Sequence, residues 1–362
     1  MKRLLFCLGV IKAGTTWLHW ALNGHPQIGR IPRKELHYFL RQYGGIDRLT
    51  DHGRWNQFKV HLDRSSIVAP YDKKKRNERT DPELYGSPWD HTQMAEWWGP
   101  KGDARRRLAN IPNDQDWYYK FLEAPINDAW YRNLFSEIGP DQWATDFSTT
   151  SYMIRPEGFK DMANFAEDSR AILILRNPLD RLWSHVKFHA EVINIEEEKL
   201  HYWSAQKYRK FTEEFALQDY SFYADAVEAM ITHFPPEKRL ILNFEDIRRD
   251  GEAVFQRVQK FLDLEPISLK DRLQDQKIAS SLQIPLQRGI FSHLCPQFEK
   301  DLDRLLDLGV DFAEPWRDHV RRHGKEWPKP DFFGARTLAR RASNYVHDAK
   351  IRAAQTKETS EK

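Results

Sequence analysis

The sequence predicts an α/β fold, a P-loop-like three-layer sandwich in which helices flank a central parallel sheet. Three runs rich in aliphatic residues have the length of buried strands, namely residues 4–8, 171–175 and 239–244. Each run is followed by turn signals and then by apolar residues at helical spacing. Strands that alternate with helices form parallel sheets covered by those helices. The 362 residues can hold one such large domain or two small ones.

A glycine-rich turn follows the first run and has the features of an anion-binding loop. Residues 9–16 have the pattern G-x-x-K-x-G-T-T, and Trp17 and Leu18 then begin a helical pattern. Such a turn points backbone N–H groups and the positive end of the helix dipole at an anion, so we expect phosphate here. A nucleoside-triphosphatase loop would place lysine directly after the second glycine, but Thr15 occupies that position and the lysine is Lys12. We therefore expect a phosphate loop without the Mg²⁺-dependent design, although a simple tight turn would have similar spacing.

A second candidate anion site follows residues 171–175, the clearest buried strand in the chain. Asn177 and Pro178 suit the N-cap and the first position of a helix. Arg176 thus lies at the carboxyl end of the strand and Ser184 on the helix, where a guanidinium group and a hydroxyl can bind one phosphate. Taken alone, Arg176 could also be a partner in a structural ion pair.

The composition argues against several classes of protein. The formal net charge is +3, from 56 basic and 53 acidic residues, so nothing requires a nucleic-acid partner. The two cysteines provide no disulfide framework, and no run approaches the ~20 apolar residues of a membrane span. The start of the chain resembles a short signal peptide, but Lys12 interrupts it, no cleavage site follows, and cleavage would remove the loop. We therefore expect a soluble, cytoplasmic protein without a transmembrane segment.

The rest of the chain is assigned to one domain and a tail. Residues 41–140 lack strand-like runs and are predicted to form a helical, loop-rich insertion that shapes an acceptor pocket. Residues 1–335 would form a single domain, and residues 336–362 a basic tail. Further elements are expected as helices over residues 16–23, 221–234 and 254–262, and as strands over residues 27–31 and 143–147.

Two motifs together resemble those of sulfotransferases that use 3′-phosphoadenosine 5′-phosphosulfate (PAPS). K-x-G-T-T-W-L, beginning at Lys12, resembles their 5′-phosphosulfate loop, and R-N-P-x-x-R-x-x-S, beginning at Arg176, resembles their 3′-phosphate motif. The resemblance covers most of residues 1 to about 318 and implies PAPS as co-substrate and no metal. Lys12 would also counter the charge that builds on the leaving phosphate. The implied PAPS-binding residues are Lys12, Ala13, Gly14, Thr15, Thr16, Trp17, Arg176 and Ser184.

A third segment resembles the K-E-x-H-[FY]-F segment that carries the catalytic glutamate of glycan sulfotransferases. The resemblance implies Glu35 as the general base; Lys34 and His37 match the segment too, and His37 is the competing base. The pattern departs at Leu40, where the glycan enzymes tend to carry aspartate, and at Ser148, where they tend to carry lysine. Both departures argue against a heparin-like acceptor. On charge statistics alone, Glu35 could instead pair with Lys34 or with an arginine on the surface.

Three classes of function stay open from the sequence. The first is a PAPS-dependent sulfotransferase that moves a sulfuryl group to a hydroxyl or amine of a small molecule, a glycan or a lipid head group. The second is a P-loop kinase or nucleoside triphosphatase. It would need lysine directly after the second glycine of the loop, and an acidic residue at a strand end to hold Mg²⁺. A nucleotide-binding protein without catalysis is the third. The acceptor and the oligomeric state are not predicted.

One pair of histidines has a spacing that can suggest a metal site. His185 and His189 stand four residues apart, but Val186 follows the first, so the H-E-x-x-H pattern is absent. We therefore expect this pair on a helix surface beside the 3′-phosphate motif.

Overall fold

The computed structural model describes residues 1–54, 114–193, 195, 197–269 and 284–326. Its strands are β1 Arg3–Gly9, β2 Ala144–Asp146, β3 Asp168–Leu175 and β4 Arg239–Asn243. They form one parallel sheet in the order β2-β1-β3-β4. Residues 4–9 of β1 and 171–175 of β3 are buried at every position, so other elements cover both faces of the sheet. The predicted α/β sandwich with a central parallel sheet is confirmed.

Helices flank the sheet throughout the described part of the chain. They are α1 Thr15–Leu22, α2 Tyr38–Tyr43, α3 Gln115–Leu122, α4 Asp128–Asn133, α5 Pro156–Ala163, α6 Pro178–Val192, α7 Glu197–His201, α8 Ala205–Glu214, α9 Ala224–His233, α10 Phe244–Arg249, α11 Gly251–Phe261, α12 Cys295–Asp307 and α13 Glu314–Gly324. Helix α6 begins as the sequence predicts, because Asn177 Oδ1 accepts hydrogen bonds from the N–H groups of Leu179 and Asp180 at 3.1 and 3.4 Å.

One prediction of secondary structure is wrong. Residues 27–31 form no strand, and Ile28 makes only an isolated parallel bridge with Trp143. Pro32 cannot donate to a ladder, which is one reason why the pairing does not extend. The strand predicted over residues 239–244 is present as β4 and ends one residue earlier, at Asn243, whose Oδ1 accepts a hydrogen bond from the Glu245 N–H at 3.0 Å and so caps α10.

The described part of the predicted insertion packs into the core. Helices α3 and α4 bury aromatic side chains, and the Tyr131 ring stacks on Tyr38 with the centroids 4.5 Å apart. The Tyr131 hydroxyl also donates to Asp146 Oδ2 at 2.6 Å, which ties α4 to the end of β2. Residues 55–113 of the insertion and the tail 336–362 lie outside the described residues, so the division of the chain at residue 335 stays a prediction.

Candidate active site

The loop after β1, residues 9–16, contacts the segments that follow β2 and β4. Gly9 has φ 145°, and a Cβ there would lie 2.5 Å from the carbonyl oxygen of Thr149, which follows β2. Gly14 has φ 91°, and its Cβ would lie 3.0 Å from the ring of Phe244, which follows β4. Both positions therefore require glycine. The strand, turn and helix start expected of a phosphate loop are all present.

Lys12 extends from this loop toward α6. Its Nζ lies 4.2 Å from the ring centroid of Phe188. Burial, with a smaller effect of the positive charge of Arg176, lowers the pKa of Lys12 to about 8. The ammonium group is thus held in a cationic, partly desolvated region, where a bound anion would restore the balance of charge.

Arg176 lies at the carboxyl end of β3 and contacts the loop directly. Its Nη1 donates to the Lys12 carbonyl oxygen at 2.9 Å, and its guanidinium carbon lies 4.5 Å from the Phe244 ring centroid. Its Nε is buried and has no hydrogen-bond partner among the described residues. Burial lowers the pKa of Arg176. Within the described residues it forms no ion pair, which argues against the structural alternative. Ser184 is buried on α6, the helix that begins just after Arg176.

Glu35 is held by the loop that follows β2. Its Oε2 accepts a hydrogen bond from the Thr149 N–H at 3.0 Å, and its Oε1 accepts one from the Thr149 hydroxyl at 2.9 Å. The side chain is 27% exposed, with Lys34 Nζ 3.9 Å from Oε1 and His37 Nε2 3.7 Å from Oε2. The alternative in which Glu35 only forms a surface ion pair with Lys34 therefore leaves out its hydrogen bonds to Thr149. The carboxylate is fixed in place and still reachable.

His37 is poorly suited to take a proton near neutral pH. It is buried, and burial, with smaller effects of Arg48 and Arg33, lowers its pKa to about 3. Its backbone N–H donates to Ser148 Oγ at 2.8 Å. The sequence offers His37 as a competing base, but desolvation of the ring makes it a poor one. An imidazole with so low a pKa is neutral at pH 7 and a weak base.

The backbone is strained at the three predicted catalytic positions. In the described part of the chain, five non-glycine residues have positive φ, and three of them are Lys12, Glu35 and His37, at 69°, 70° and 57°. Strain of this kind persists only where the surrounding structure enforces it, and it concentrates at functional sites.

Two further residues contribute to this region and are not among the predicted site residues. Lys34, noted only as a match to a motif, donates from Nζ to Thr16 Oγ1 at 3.1 Å and to Thr15 Oγ1 at 3.4 Å. Asp146 ends β2 and accepts a hydrogen bond from Ser148 Oγ at 2.5 Å. Its burial raises the pKa of Asp146 to about 6. The sequence could have indicated Asp146, because it is an acidic residue near the end of a predicted strand.

The prediction for the histidine pair is wrong for His185. This residue is buried, and Arg181 Nη1 lies 3.0 Å from its Nδ1. Arg181 itself is buried and donates to Ser221 Oγ at 2.7 Å, so this part of α6 faces the interior.

Within the described residues, no group of three or more His, Cys, Asp or Glu side chains could hold a metal ion. Across the same residues, no helix has both the length and the apolar character to span a membrane, and a cytoplasmic location stays a prediction.

The chain belongs to the sulfotransferase family. The family model described as "Sulfotransferase family" matches residues 5–268, a stretch that contains the 9–16 loop, Glu35 and the segment from Arg176 to Ser184. The family suggested by the motifs is confirmed, and nothing in the comparisons supports the kinase alternative.

Two curated relatives and one solved structure illustrate the similarity. The human bifunctional heparan sulfate N-deacetylase/N-sulfotransferase 3 is 30% identical over 147 residues, which are 38% of this chain and 16% of that protein. The membrane-associated sulfotransferase kil1 of Dictyostelium discoideum is 21% identical over 314 residues, 83% of this chain and 64% of that protein. The chain thus spans less than two thirds of either relative. A sulfotransferase from Alicyclobacillus acidocaldarius superposes with a TM-score of 0.48 at 19% identity, over 85% of this chain and 96% of that one.

Proposed function

We propose that this protein transfers a sulfuryl group from PAPS to a hydroxyl or amine of its acceptor and releases adenosine 3′,5′-bisphosphate. The observation that carries the proposal is the 2.9 Å hydrogen bond from Arg176 Nη1 to the Lys12 carbonyl oxygen. This contact joins the two motifs that we propose to bind anions, one at the end of β1 and one at the end of β3. A nucleotide with separate 5′ and 3′ phosphates matches two such sites, whereas a nucleoside triphosphate has phosphates at one end only.

The residues present fit the donor. The unpartnered, buried Nε of Arg176 supplies a donor for the 3′-phosphate, and Ser184 on α6 would add a hydroxyl. The backbone N–H groups at the start of α1 would hold the 5′-phosphosulfate. The full set proposed to bind PAPS comprises Lys12, Ala13, Gly14, Thr15, Thr16, Trp17, Arg176 and Ser184.

The chemistry asks the protein for positioning and charge stabilisation. Glu35 would accept the proton of the acceptor hydroxyl while the hydroxyl oxygen forms a bond to sulfur. At the same time, the bond between sulfur and the 5′-phosphate oxygen breaks. Lys12 would stabilise the negative charge that develops on the leaving phosphate. The two hydrogen bonds from Thr149 keep the Glu35 carboxylate oriented before the acceptor arrives.

The acceptor is proposed to be a small molecule, a glycan or a lipid head group, with a heparin-like chain disfavoured. The two positions at which glycan sulfotransferases tend to carry charge are both buried here. Leu40 lies in the core, and Ser148 donates to Asp146 while accepting from the His37 N–H. Neither position can present a charge to a sulfated substrate.

Two observations bear on the kinase alternative. Asp146 is an acidic residue at a strand end, as that alternative requires, but its two oxygens already accept hydrogen bonds from Ser148 and Tyr131. Thr15 also occupies the lysine position of the triphosphatase loop. No observation therefore favours this second function.

Transfer of ³⁵S from labelled PAPS tests the proposal. The purified protein is incubated with fractionated cell extracts, and labelled products are separated from the donor. We expect at least one fraction to acquire label with the wild-type protein and to lose it with Lys12→Ala. If ATP labelled at the γ-phosphate, with Mg²⁺, transfers its label while PAPS transfers none, the kinase alternative replaces this proposal.

A further inference from the structure

We propose that Lys34 binds the sulfuryl group of the donor and is therefore a second catalytic lysine beside Lys12. The inference rests on the proposed function, because it assigns one end of the PAPS molecule to a particular side chain. It starts from where the Lys34 ammonium group lies.

Lys34 bridges the phosphate loop and the general base. Its Nζ donates to Thr16 Oγ1 at 3.1 Å and to Thr15 Oγ1 at 3.4 Å, and both threonines stand at the first turn of α1. The same Nζ lies 3.9 Å from Glu35 Oε1. In an in-line transfer, the sulfur must lie between the leaving 5′-phosphate and the acceptor oxygen that the base deprotonates. The ammonium group of Lys34 occupies the corresponding region, between the phosphate-binding helix start and the carboxylate.

Lys12 approaches the loop from another direction. Its Nζ lies over the Phe188 ring of α6 at 4.2 Å, and the charges that act on it come mainly from Arg176, Glu191, Lys187 and Arg181. Those groups belong to α6 or to the segment just before it, the side of the site that holds the 3′-phosphate motif. The two lysines are thus placed for different parts of one donor, Lys12 toward the bisphosphate and Lys34 toward the sulfuryl end.

The hydrogen bonds of Lys34 are incomplete. An ammonium group has three donors. Two of them reach neutral threonine hydroxyls, while the nearest described carboxylate oxygen, at 3.9 Å, is beyond hydrogen-bond distance. The side chain is only 20% exposed, so water compensates poorly, and burial lowers the pKa of Lys34. An anionic sulfuryl oxygen would provide the missing charged acceptor.

Direct binding of PAPS and of adenosine 3′,5′-bisphosphate tests this assignment without knowledge of the acceptor. The bisphosphate lacks only the sulfuryl group. In Lys34→Met we expect PAPS affinity to fall roughly 10–100-fold, the usual effect of losing a charge-assisted hydrogen bond, while bisphosphate affinity stays within about 2-fold. Lys34→Arg keeps the charge and should retain part of the preference for PAPS. Calorimetric titration measures both ligands on each variant.

Lys238→Met provides the matched control. Lys238 is a partly buried lysine with one ion pair, to Asp168 at 3.4 Å, and it directly precedes β4, at the other end of the sheet from the loop. We expect this variant to bind both ligands as the wild type does. Retained bisphosphate binding also shows that Lys34→Met is folded.

Three results would overturn the inference. Equal losses of both ligands in Lys34→Met would make Lys34 a structural support of the threonines. Unchanged affinity for both would remove it from the donor site. A wild-type protein that binds neither ligand would overturn the proposed function itself, and this outcome is distinguishable because it appears before any substitution is made.

Discussion

Replacing Arg176 by alanine separates the contributions of the two anion sites. The proposal gives the arginine two roles: its unpartnered Nε would bind the 3′-phosphate, while its Nη1 donates to the Lys12 carbonyl oxygen at 2.9 Å. Loss of the first role should weaken adenosine 3′,5′-bisphosphate by roughly 2–4 kcal/mol, the effect of truncating one member of a buried charge pair. Loss of the second affects the 5′-phosphate side by about 0.5–1.5 kcal/mol and applies to every nucleotide with a 5′-phosphate.

The difference between two ligands isolates the first role. The bisphosphate loses both contributions, about 2.5–5.5 kcal/mol, so at about 1.4 kcal/mol per tenfold Arg176→Ala should weaken it by roughly 60–8000-fold, and adenosine 5′-phosphate by no more than about tenfold. Calorimetric titration of both ligands provides the comparison. Arg304→Ala is the control, because Arg304 is an exposed arginine paired with Asp225 and Glu228 at 2.7 and 2.9 Å, and its loss should alter neither affinity. Equal losses of both ligands in Arg176→Ala would refute the assignment and make the arginine structural.

Three further predictions concern the base and two buried groups. Once an acceptor is known, Glu35→Gln should lower kcat by about 10²–10⁴-fold with unchanged bisphosphate affinity; near-full kcat beside an inactive His37→Ala would transfer the role to the histidine. Because burial lowers the pKa of Lys12 to about 8, the affinity for the bisphosphate should fall as the pH rises through that value. Lys12→Met should bind the bisphosphate more weakly, and its affinity should not change with pH in this range. The same pH profile in both proteins would contradict this prediction. Burial raises the pKa of Asp146 from 3.8 to about 6, so the folded state holds this proton more tightly. The resulting stability, on the order of 3 kcal/mol, is present below about pH 4 and lost as the pH rises through about 6. In urea unfolding, the free energy of unfolding of Asp146→Asn should not show this decrease between pH 4 and pH 7. A decrease as large as that of the wild type would show that Asp146 is not its cause.

Local patterns were sufficient to predict the main strands and the helix that follows β3. Strand β3 is buried at residues 171–175 on both faces, which gives a continuous aliphatic run, and Asn177 with Pro178 marks the start of α6 without any long-range information. The strand predicted over residues 27–31 is reduced to an isolated bridge at Ile28, and β4 ends at Asn243, one residue before its predicted end. The capping side chain of Asn243 was a local signal, whereas the pairing of Ile28 with Trp143 depends on contacts between distant segments. The order of the strands likewise has no local signature.

For the site, the sequence identifies candidate residues but not the contacts that surround them. The contact between Glu35 and Thr149 joins residues 114 positions apart, so no local pattern could have shown it. The hydrogen bonds of Lys34 to Thr15 and Thr16 also cross between two segments. The depressed pKa of His37 follows from burial, and burial of one imidazole among polar neighbours is a property of the folded chain.

Thermal unfolding in the presence of nucleotides tests the central claim most directly. A ligand that binds only the folded state stabilises it by mass action, by about 2.7 kcal/mol at one hundred times its Kd. If the proposed 5′- and 3′-phosphate sites lie at the ends of β1 and β3, adenosine 3′,5′-bisphosphate should raise the Tm more than ATP with Mg²⁺ does at the same concentration. Better protection by ATP with Mg²⁺ would contradict the account and favour a kinase.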